Sequence, residues 1–346
     1  MLDDQNVLAQ RDPGETRIGA VNITTQTSYD AIIEGEVPTG QPITSVVLAG
    51  MGGSALAADM VKVLAADQLT VPLEVVKGYQ LPNHVSDKTL VLTISHSGNT
   101  EETLSCYQQA RERGCLVAAM ATGGKLFAAA ESDGVPRVRI PGGAQPRMST
   151  IYHLRGLLRL LEQYGVIDGR MYQEVEAAGE WLRAHLASWA AEVPTAENYA
   201  KQLAMTLVGK TQVFYGGELT WPIAYKWKIS FNESAKNVAF WNQYPEFNHN
   251  EFIGWSSHPV EKPYAVVDFH SDLERPRITE RMELTDRLLS GVRPKAEVIT
   301  LQGETLLQQF LWGLALGELT SIYAGILNGV NPEPVELVER LKKELS

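Results

Sequence analysis

Three hydroxyls, those of Ser95, Ser97 and Thr100, fall within one short run that also holds Gly98 and Asn99. An apolar stretch (Thr89, Leu90, Val91, Leu92) stands before the run, and Glu101, Glu102 and Thr103 follow it. The first reads as a buried parallel strand and the second as the start of a helix reaching about residue 113. The hydroxyls therefore occupy a strand-to-helix turn. There, free amide N–H groups and the helix dipole attract an anion, and a glycine lets the backbone come close to it. The chemistry indicated is phosphate binding. A competing reading is an ordinary helix start, with Thr100 or Asn99 as N-cap of an acidic first turn.

Three further polar groups could work beside such an anion. Arg147 follows Gln145 and Pro146 at the head of a helical pattern ending near Tyr164. Proline suits the first turn of a helix, but a cation there opposes the dipole. Arg147 thus either faces an anionic ligand or pairs with an acid on the surface, and the sequence leaves both open. Asn232-Glu233-Ser234-Ala235-Lys236 closes a helix that begins near Trp221, and Glu246-Phe247-Asn248-His249-Asn250-Glu251 follows shortly after. A carboxylate and an imidazole suit a reaction that moves protons, one abstracting from carbon while the other serves an oxygen. Taken singly, Glu233 reads as a solvated helix-end residue partnered by Lys236, and His249 as a core or turn histidine. Taken with a phosphate site and an arginine, they describe proton transfer on a phosphorylated substrate. The other histidines, His84, His96, His153, His185, His258 and His270, are scattered and receive no role.

These groups need a scaffold that brings turns together. A strand over 46–50 runs into Met51-Gly52-Gly53-Ser54 and a helix over 55–65, a second glycine-rich strand-to-helix turn. It has neither the spacing of a dinucleotide fingerprint nor a Walker lysine. Further strands are expected at 73–77, 116–121 and 135–140. Strands alternating with helices imply a doubly wound parallel sheet, whose ligands sit beyond the carboxyl ends of the strands. The two turns then share one edge and can face one pocket. The second half repeats the plan, with strands at 211–215, 265–269 and 297–300, a Gly216-Gly217 turn and a helix over 310–327. It has no counterpart of S-H-S-G-N-T. The expected α/β organisation is a lead-in helix and loop over 1–40 and a phosphate-binding domain over 41–165. A helical connection and second domain follow over 166–330, then a C-terminal helix over 331–346.

Bulk properties narrow the function. A chain of 346 residues calls for two domains. A net charge of −11 with no basic cluster argues against nucleic acid as partner. Met1-Leu2-Asp3-Asp4 is followed by no apolar core, so no signal peptide is expected and the cytoplasm is the expected location. Glu318, Thr320 and Ser321 interrupt the apolar run over 310–327, which reads as a core helix and not a membrane span. The two cysteines, Cys106 and Cys115, have no metal-ligand spacing with a histidine.

Five runs together carry a resemblance: G-M-G-G-S from Gly50, S-H-S-G-N-T from Ser95, Q-P-R ending at Arg147, N-E-S-A-K around Glu233 and E-F-N-H-N-E around His249. In this order they resemble the bifunctional phosphoglucose/phosphomannose isomerases, sugar-isomerase (SIS) domain proteins of bacteria and archaea. The resemblance implies two SIS-type domains related by a pseudo-repeat and a homodimer that needs neither metal nor cofactor. The implied activity interconverts glucose 6-phosphate and fructose 6-phosphate, with mannose 6-phosphate as a further substrate, through a cis-enediolate. By the same resemblance Glu233 shuttles the proton between C1 and C2 and Arg147 stabilises the enediolate charge. His249 assists ring opening from the neighbouring subunit, and Lys342, with Lys343 adjacent, lies by the ring oxygen. Gly52, Gly53, Ser54, Ser95, Ser97 and Thr100 fall where the substrate is bound through its phosphate. The chain departs from the family pattern at His96, commonly tyrosine, and at Ala55, commonly glycine. Near the C-terminus Glu333 and Val335 stand where relatives that accept mannose 6-phosphate use a threonine.

Two other functions compete. A SIS protein that senses a sugar phosphate without chemistry would not need Glu233 and His249. An amidotransferase-linked aminosugar isomerase would need an N-terminal cysteine nucleophile domain.

Overall fold

The computed structural model describes residues 1–257 and 263–345, so His258 lies outside the described residues. Two compact units make up the chain: Ile23–Glu180, and Met1–Asn22 together with Trp181–Ser346.

In the Ile23–Glu180 unit the strands are β1 (Ile33–Glu34), β2 (Ser45–Gly50), β3 (Leu73–Val76), β4 (Thr89–Ile94), β5 (Leu116–Ala121) and β6 (Arg137–Arg139). They form one sheet in the order β1-β6-β5-β4-β2-β3, parallel except for β1 against β6. Strands β2, β4 and β5 are buried along nearly their whole length. A parallel strand covered on both faces has no polar side to show, hence the continuous apolar runs in the sequence. Val47, Ala49, Val91, Val117 and Ala119 pack on Cys106 and Tyr107 of helix Glu101–Glu112 and on Leu126 and Phe127 of helix Gly124–Ser132. Helices Gly52–Leu64 and Thr150–Gln163 pack together, and Gly156 of the latter closes on Met120 of β5 and Val138 of β6. A side chain there would have to displace the Met120 sulfur.

The second unit holds β7 (Thr211–Gly216), β8 (Ala239–Gln243), β9 (Tyr264–His270) and β10 (Glu297–Thr300), all parallel, in the order β10-β9-β7-β8. Alternate side chains leave opposite faces. Val213, Tyr215 and Val266 meet Ile278 and Met282 of helix Pro276–Leu288. Phe214 and Phe269 meet Trp227 of helix Trp221–Glu233, with ring centroids 5.5 and 5.1 Å apart. Both sheets are thus doubly wound. Strand β8 has no counterpart among the sequence-based expectations. It is a half-exposed edge strand with Phe240 open to solvent, and such a strand lacks the continuous apolar run of a central one. The first helices, Gln5–Arg11 and Thr16–Val21, also belong to this unit, where the second of them packs on helix Leu306–Asn328.

Helix Leu306–Asn328 starts with a capping box of Thr305 and Gln308 and ends at Gly329 in the left-handed region, φ 76°. By length and composition it could cross a bilayer, yet it is buried inside its unit. Trp227 Nε1 donates to its Gly313 carbonyl at 2.9 Å. Lys226 forms an ion pair with Glu318 in the core, and Ser230 donates to the same carboxylate at 3.2 Å. Breaking such a pair strands a charge in a low-dielectric interior. Lys226→Met is therefore expected to lower the unfolding free energy by about 3–5 kcal/mol. The double variant Lys226→Met/Glu318→Leu should recover most of that loss in urea titrations.

Candidate active site

Gly50 of β2 lies opposite Ile94 of β4 in the ladder, so the turns that follow emerge side by side at the carboxyl edge of the sheet. Thr100 has the N-cap position of helix Glu101–Glu112, but its side chain makes no cap bond. Its hydroxyl pairs with Ser95 Oγ at 2.8 Å, and Ser95 Oγ also accepts the Gly98 amide at 3.0 Å. Asn99 is no cap either. Its Oδ1 accepts the Lys125 amide at 3.1 Å, and its Nδ2 donates to the Ser97 carbonyl at 3.2 Å. Helix Gly52–Leu64 likewise has no side-chain cap at Met51. Two helix starts without a side-chain acceptor thus stand abreast, a setting that favours an anion. Ser97 is exposed at the rim, while Ser95 is buried. Gly98 has φ +70°, and a side chain there would run into the Gly123 carbonyl.

Pro146–Met148 is a 3-10 turn ahead of helix Thr150–Gln163, not the first turn of that helix as the proline suggested. Arg147 is 1% exposed, which overturns its reading as a surface residue. A Cβ on Gly53 would lie 2.7 Å from the Pro146 carbonyl oxygen and 3.0 Å from the Arg147 nitrogen. Glycine there lets the arginine turn close on the start of helix Gly52–Leu64.

His153 links the same elements. It is fully buried, with Nδ1 2.8 Å from the Ser149 carbonyl and Nε2 3.3 Å from Ser54 Oγ. Ser54 Oγ in turn accepts the His96 amide at 3.2 Å. Burial, and then the neighbouring His96, push the His153 pKa down to about 3, so the ring is neutral. A carbonyl only accepts, so Nδ1 carries the hydrogen and Nε2 takes the Ser54 hydroxyl hydrogen. Burial also lowers the His96 pKa, and its ring centroid is 5.5 Å from that of His153. One histidine in a leucine-rich helix gives no periodic signal, and the sequence alone attached no role to it.

The other sequence-derived residues lie in the second unit. Glu233 is half-buried at the last position of helix Trp221–Glu233. The Lys236 ammonium donates to the Glu233 backbone carbonyl and, at 3.2 Å, to that of Pro332. His249 is exposed at the end of the 3-10 turn Glu246–His249. That turn is held by Phe247, whose ring is 4.5 Å from that of Tyr215, and by Asn248, which donates to Thr285 at 2.9 Å. Helix and strand run in opposite directions, and Asn232 accepts the Ala239 amide at 3.0 Å. Glu233 therefore sits at the amino edge of this sheet, and His249 beyond the carboxyl end of β8. The five residues of β8 alone span about 16 Å. Lys342, on the exposed C-terminal helix Glu336–Leu345, pairs with Glu339 at 2.8 Å.

The second unit has its own glycine-rich turn after β7, and it is filled from within. Glu274 Oε1 accepts the Leu219 amide at 2.7 Å and the Thr220 amide at 3.3 Å, at the start of helix Trp221–Glu233. A Cβ on Gly217 would lie 2.6 Å from the Glu274 carboxyl carbon. A carboxylate of the chain thus occupies the place where an anion would bind.

Two parallel α/β sheets, one with open helix starts flanked by hydroxyls, define a protein built of SIS domains. The SIS domain model matches residues 42–147, and that of the bacterial phospho-glucose isomerase C-terminal SIS domain matches 196–345. Over 308 residues the chain is 35% identical to a bifunctional phosphoglucose/phosphomannose isomerase of Caldicellulosiruptor bescii, covering 88% of this chain and 91% of that one. The chain belongs to the bifunctional phosphoglucose/phosphomannose isomerase family. It is also 33% identical over 240 residues to a D-glucosamine-6-phosphate 4-epimerase of Sulfolobus acidocaldarius, covering 69% of this chain and 73% of that one. Its fold matches the crystal structure of a glucose-6-phosphate isomerase like protein from Thermus thermophilus. The TM-score is 0.67 at 19% identity, over 99% of this chain and 98% of that one.

The depressed pKa of His153 has a consequence for stability. An unfolded chain protonates this histidine below about 6.5, and the folded protein does so only near 3. The stabilisation is complete above 6.5 and is lost as pH falls through this window. Between about pH 7.5 and pH 5 the wild-type urea midpoint should fall more than that of His153→Phe, with carboxylates common to both cancelling.

Proposed function

We propose that the chain is an aldose–ketose isomerase interconverting glucose 6-phosphate and fructose 6-phosphate, with mannose 6-phosphate as a further substrate. It acts in the cytoplasm as a homodimer. The observation that carries the site is the pair of uncapped helix starts beside Ser95, Ser97 and Thr100. They suit a phosphate dianion, which anchors the far end of the sugar and leaves C1 and C2 to react. Family membership supplies the reaction class.

In the chemical step the Glu233 carboxylate takes the proton from C2 of the open-chain aldose. The C–H electron pair becomes the C1=C2 bond of a cis-enediolate, and charge moves onto the oxygen at C1. The Arg147 guanidinium stabilises that oxyanion. A proton then passes from the C2 hydroxyl to the C1 oxygen, Glu233 returns the proton it holds to C1, and the C2 oxygen becomes the ketone, with no net oxidation. His249 moves the proton needed to open the ring, and Lys342 lies by the ring oxygen. Gly52 and Gly53 complete the phosphate contacts, and Ser54 lines the same turn through the bonds of its hydroxyl to His153 and His96.

We assign His249 to the site of the second subunit. The separation of Glu233 and His249 by the length of β8 supports this reading, since one sheet presents them at opposite edges. Mixing refolded Glu233→Gln and His249→Ala proteins tests it. A shared site regenerates one wild-type centre per mixed dimer and so about a quarter of wild-type activity. Sites built within one chain regenerate none.

Proton NMR of fructose 6-phosphate in heavy water tests the reaction. The expected product is an aldose 6-phosphate carrying deuterium at C2, whose configuration separates glucose from mannose. Glu233→Gln should abolish this exchange while leaving sugar-phosphate binding within a few-fold. Saturable binding without turnover would favour a sensor, and a change at C4 of glucosamine 6-phosphate would favour an epimerase.

A further inference from the structure

The helix Thr150–Gln163 carries one buried histidine whose two ring nitrogens are both committed. A leucine there would avoid the cost of desolvating an imidazole. The ring joins three segments: its own helix start through Ser149, the first turn after β2 through Ser54, and the turn leaving β4 through the His96 amide that Ser54 accepts. The hydroxyl of Ser54 is directed at both ends, its hydrogen to His153 and a lone pair to His96. With the His96 amide drawn inward, the turn beyond it carries exposed Ser97 and the uncapped helix start on its outer side. Arg147 precedes Ser149 in the same local structure, and Gly53 precedes Ser54. The relay therefore ties the start of its own helix to the two turns with uncapped helix starts.

We propose that His153 is a positioning residue for phosphate binding, acting through Ser54 on the turn that carries Ser95, Ser97 and Thr100. This rests on the cradle reading of those hydroxyls. It assigns His153 no contact with substrate and no part in moving the substrate's protons.

The test compares wild type, His153→Phe, Ser54→Ala, the double variant and Ser97→Ala. KM and kcat for fructose 6-phosphate and the inhibition constant of inorganic phosphate are measured for each. His153→Phe replaces the imidazole with a larger planar ring that has no nitrogen. It should raise KM and the phosphate inhibition constant together by about tenfold, the scale of one lost hydrogen bond, with kcat falling far less. Ser54→Ala should do the same, and the double variant should be no worse than the poorer single one, because the two residues act as a unit. Should His153→Phe fail to fold, Ser54→Ala and His153→Gln read the same link, the latter restoring an acceptor for the hydroxyl. An unchanged phosphate constant in a folded His153 variant, additive losses, or a loss confined to kcat would each overturn the inference. If Ser97→Ala weakens phosphate and the His153 variants do not, this inference falls and the cradle stands. If neither changes phosphate inhibition, the cradle reading falls with it.

Discussion

Two helices that begin without a side-chain acceptor, at the carboxyl ends of adjacent parallel strands, are the constraint on which the rest of this site depends. The register of Gly50 against Ile94 sets it, since that pairing brings the two strand-to-helix turns abreast. Orphan amides at a helix start are unfavourable unless something accepts from them. Here the polar side chains nearby do not. Thr100 and Ser95 bond to one another, and Asn99 pins its loop to the next helix. The hydroxyls rigidify the turn and leave the dipole ends open. Gly53 and Gly98 allow two backbone approaches that any side chain would block, one to the arginine turn and one to the turn after β5.

The second domain shows the same plan with its helix start closed from within. Its glycine turn after β7 is closed by the Glu274 carboxylate, which accepts two amides at the start of the helix. That domain spends its polar groups on holding helices: Lys226 and Ser230 on Glu318, and Trp227 on the Gly313 carbonyl. These fix helix Trp221–Glu233, and hence the position of Glu233 at its end. One domain thus closes its helix start with an internal carboxylate, and the other leaves two helix starts without a side-chain acceptor.

Burial of polar groups follows the same logic. Arg147, His153 and Ser54 are all nearly inaccessible, at 1%, 0% and 3% exposure. Each would destabilise a core that lacked partners for it. The His153 chain of hydrogen bonds offsets that cost and yields a fixed geometry where three segments meet.

Central strands could be read from the sequence because they are parallel and covered on both faces, so burial left continuous apolar runs at β2, β4, β5, β7 and β9. The hydroxyl-rich strand-to-helix turn was legible too, because its hydroxyls and glycine lie within a few residues of one another. Short edges such as β1 and β8 were not, since one open side removes the apolar signal. Nor could the sequence tell whether the Thr100 side chain caps its helix, or a surface arginine from a buried one at Arg147. Those choices depend on partners distant in the chain. Ser54 and His153 are 99 residues apart, Lys226 and Glu318 are 92 apart, and Leu219 and Glu274 are 55 apart. Local composition determined which elements form and which groups are candidates for chemistry. The tertiary structure alone decided which polar groups are paired, because hydrogen bonds and ion pairs depend on distances that only packing sets.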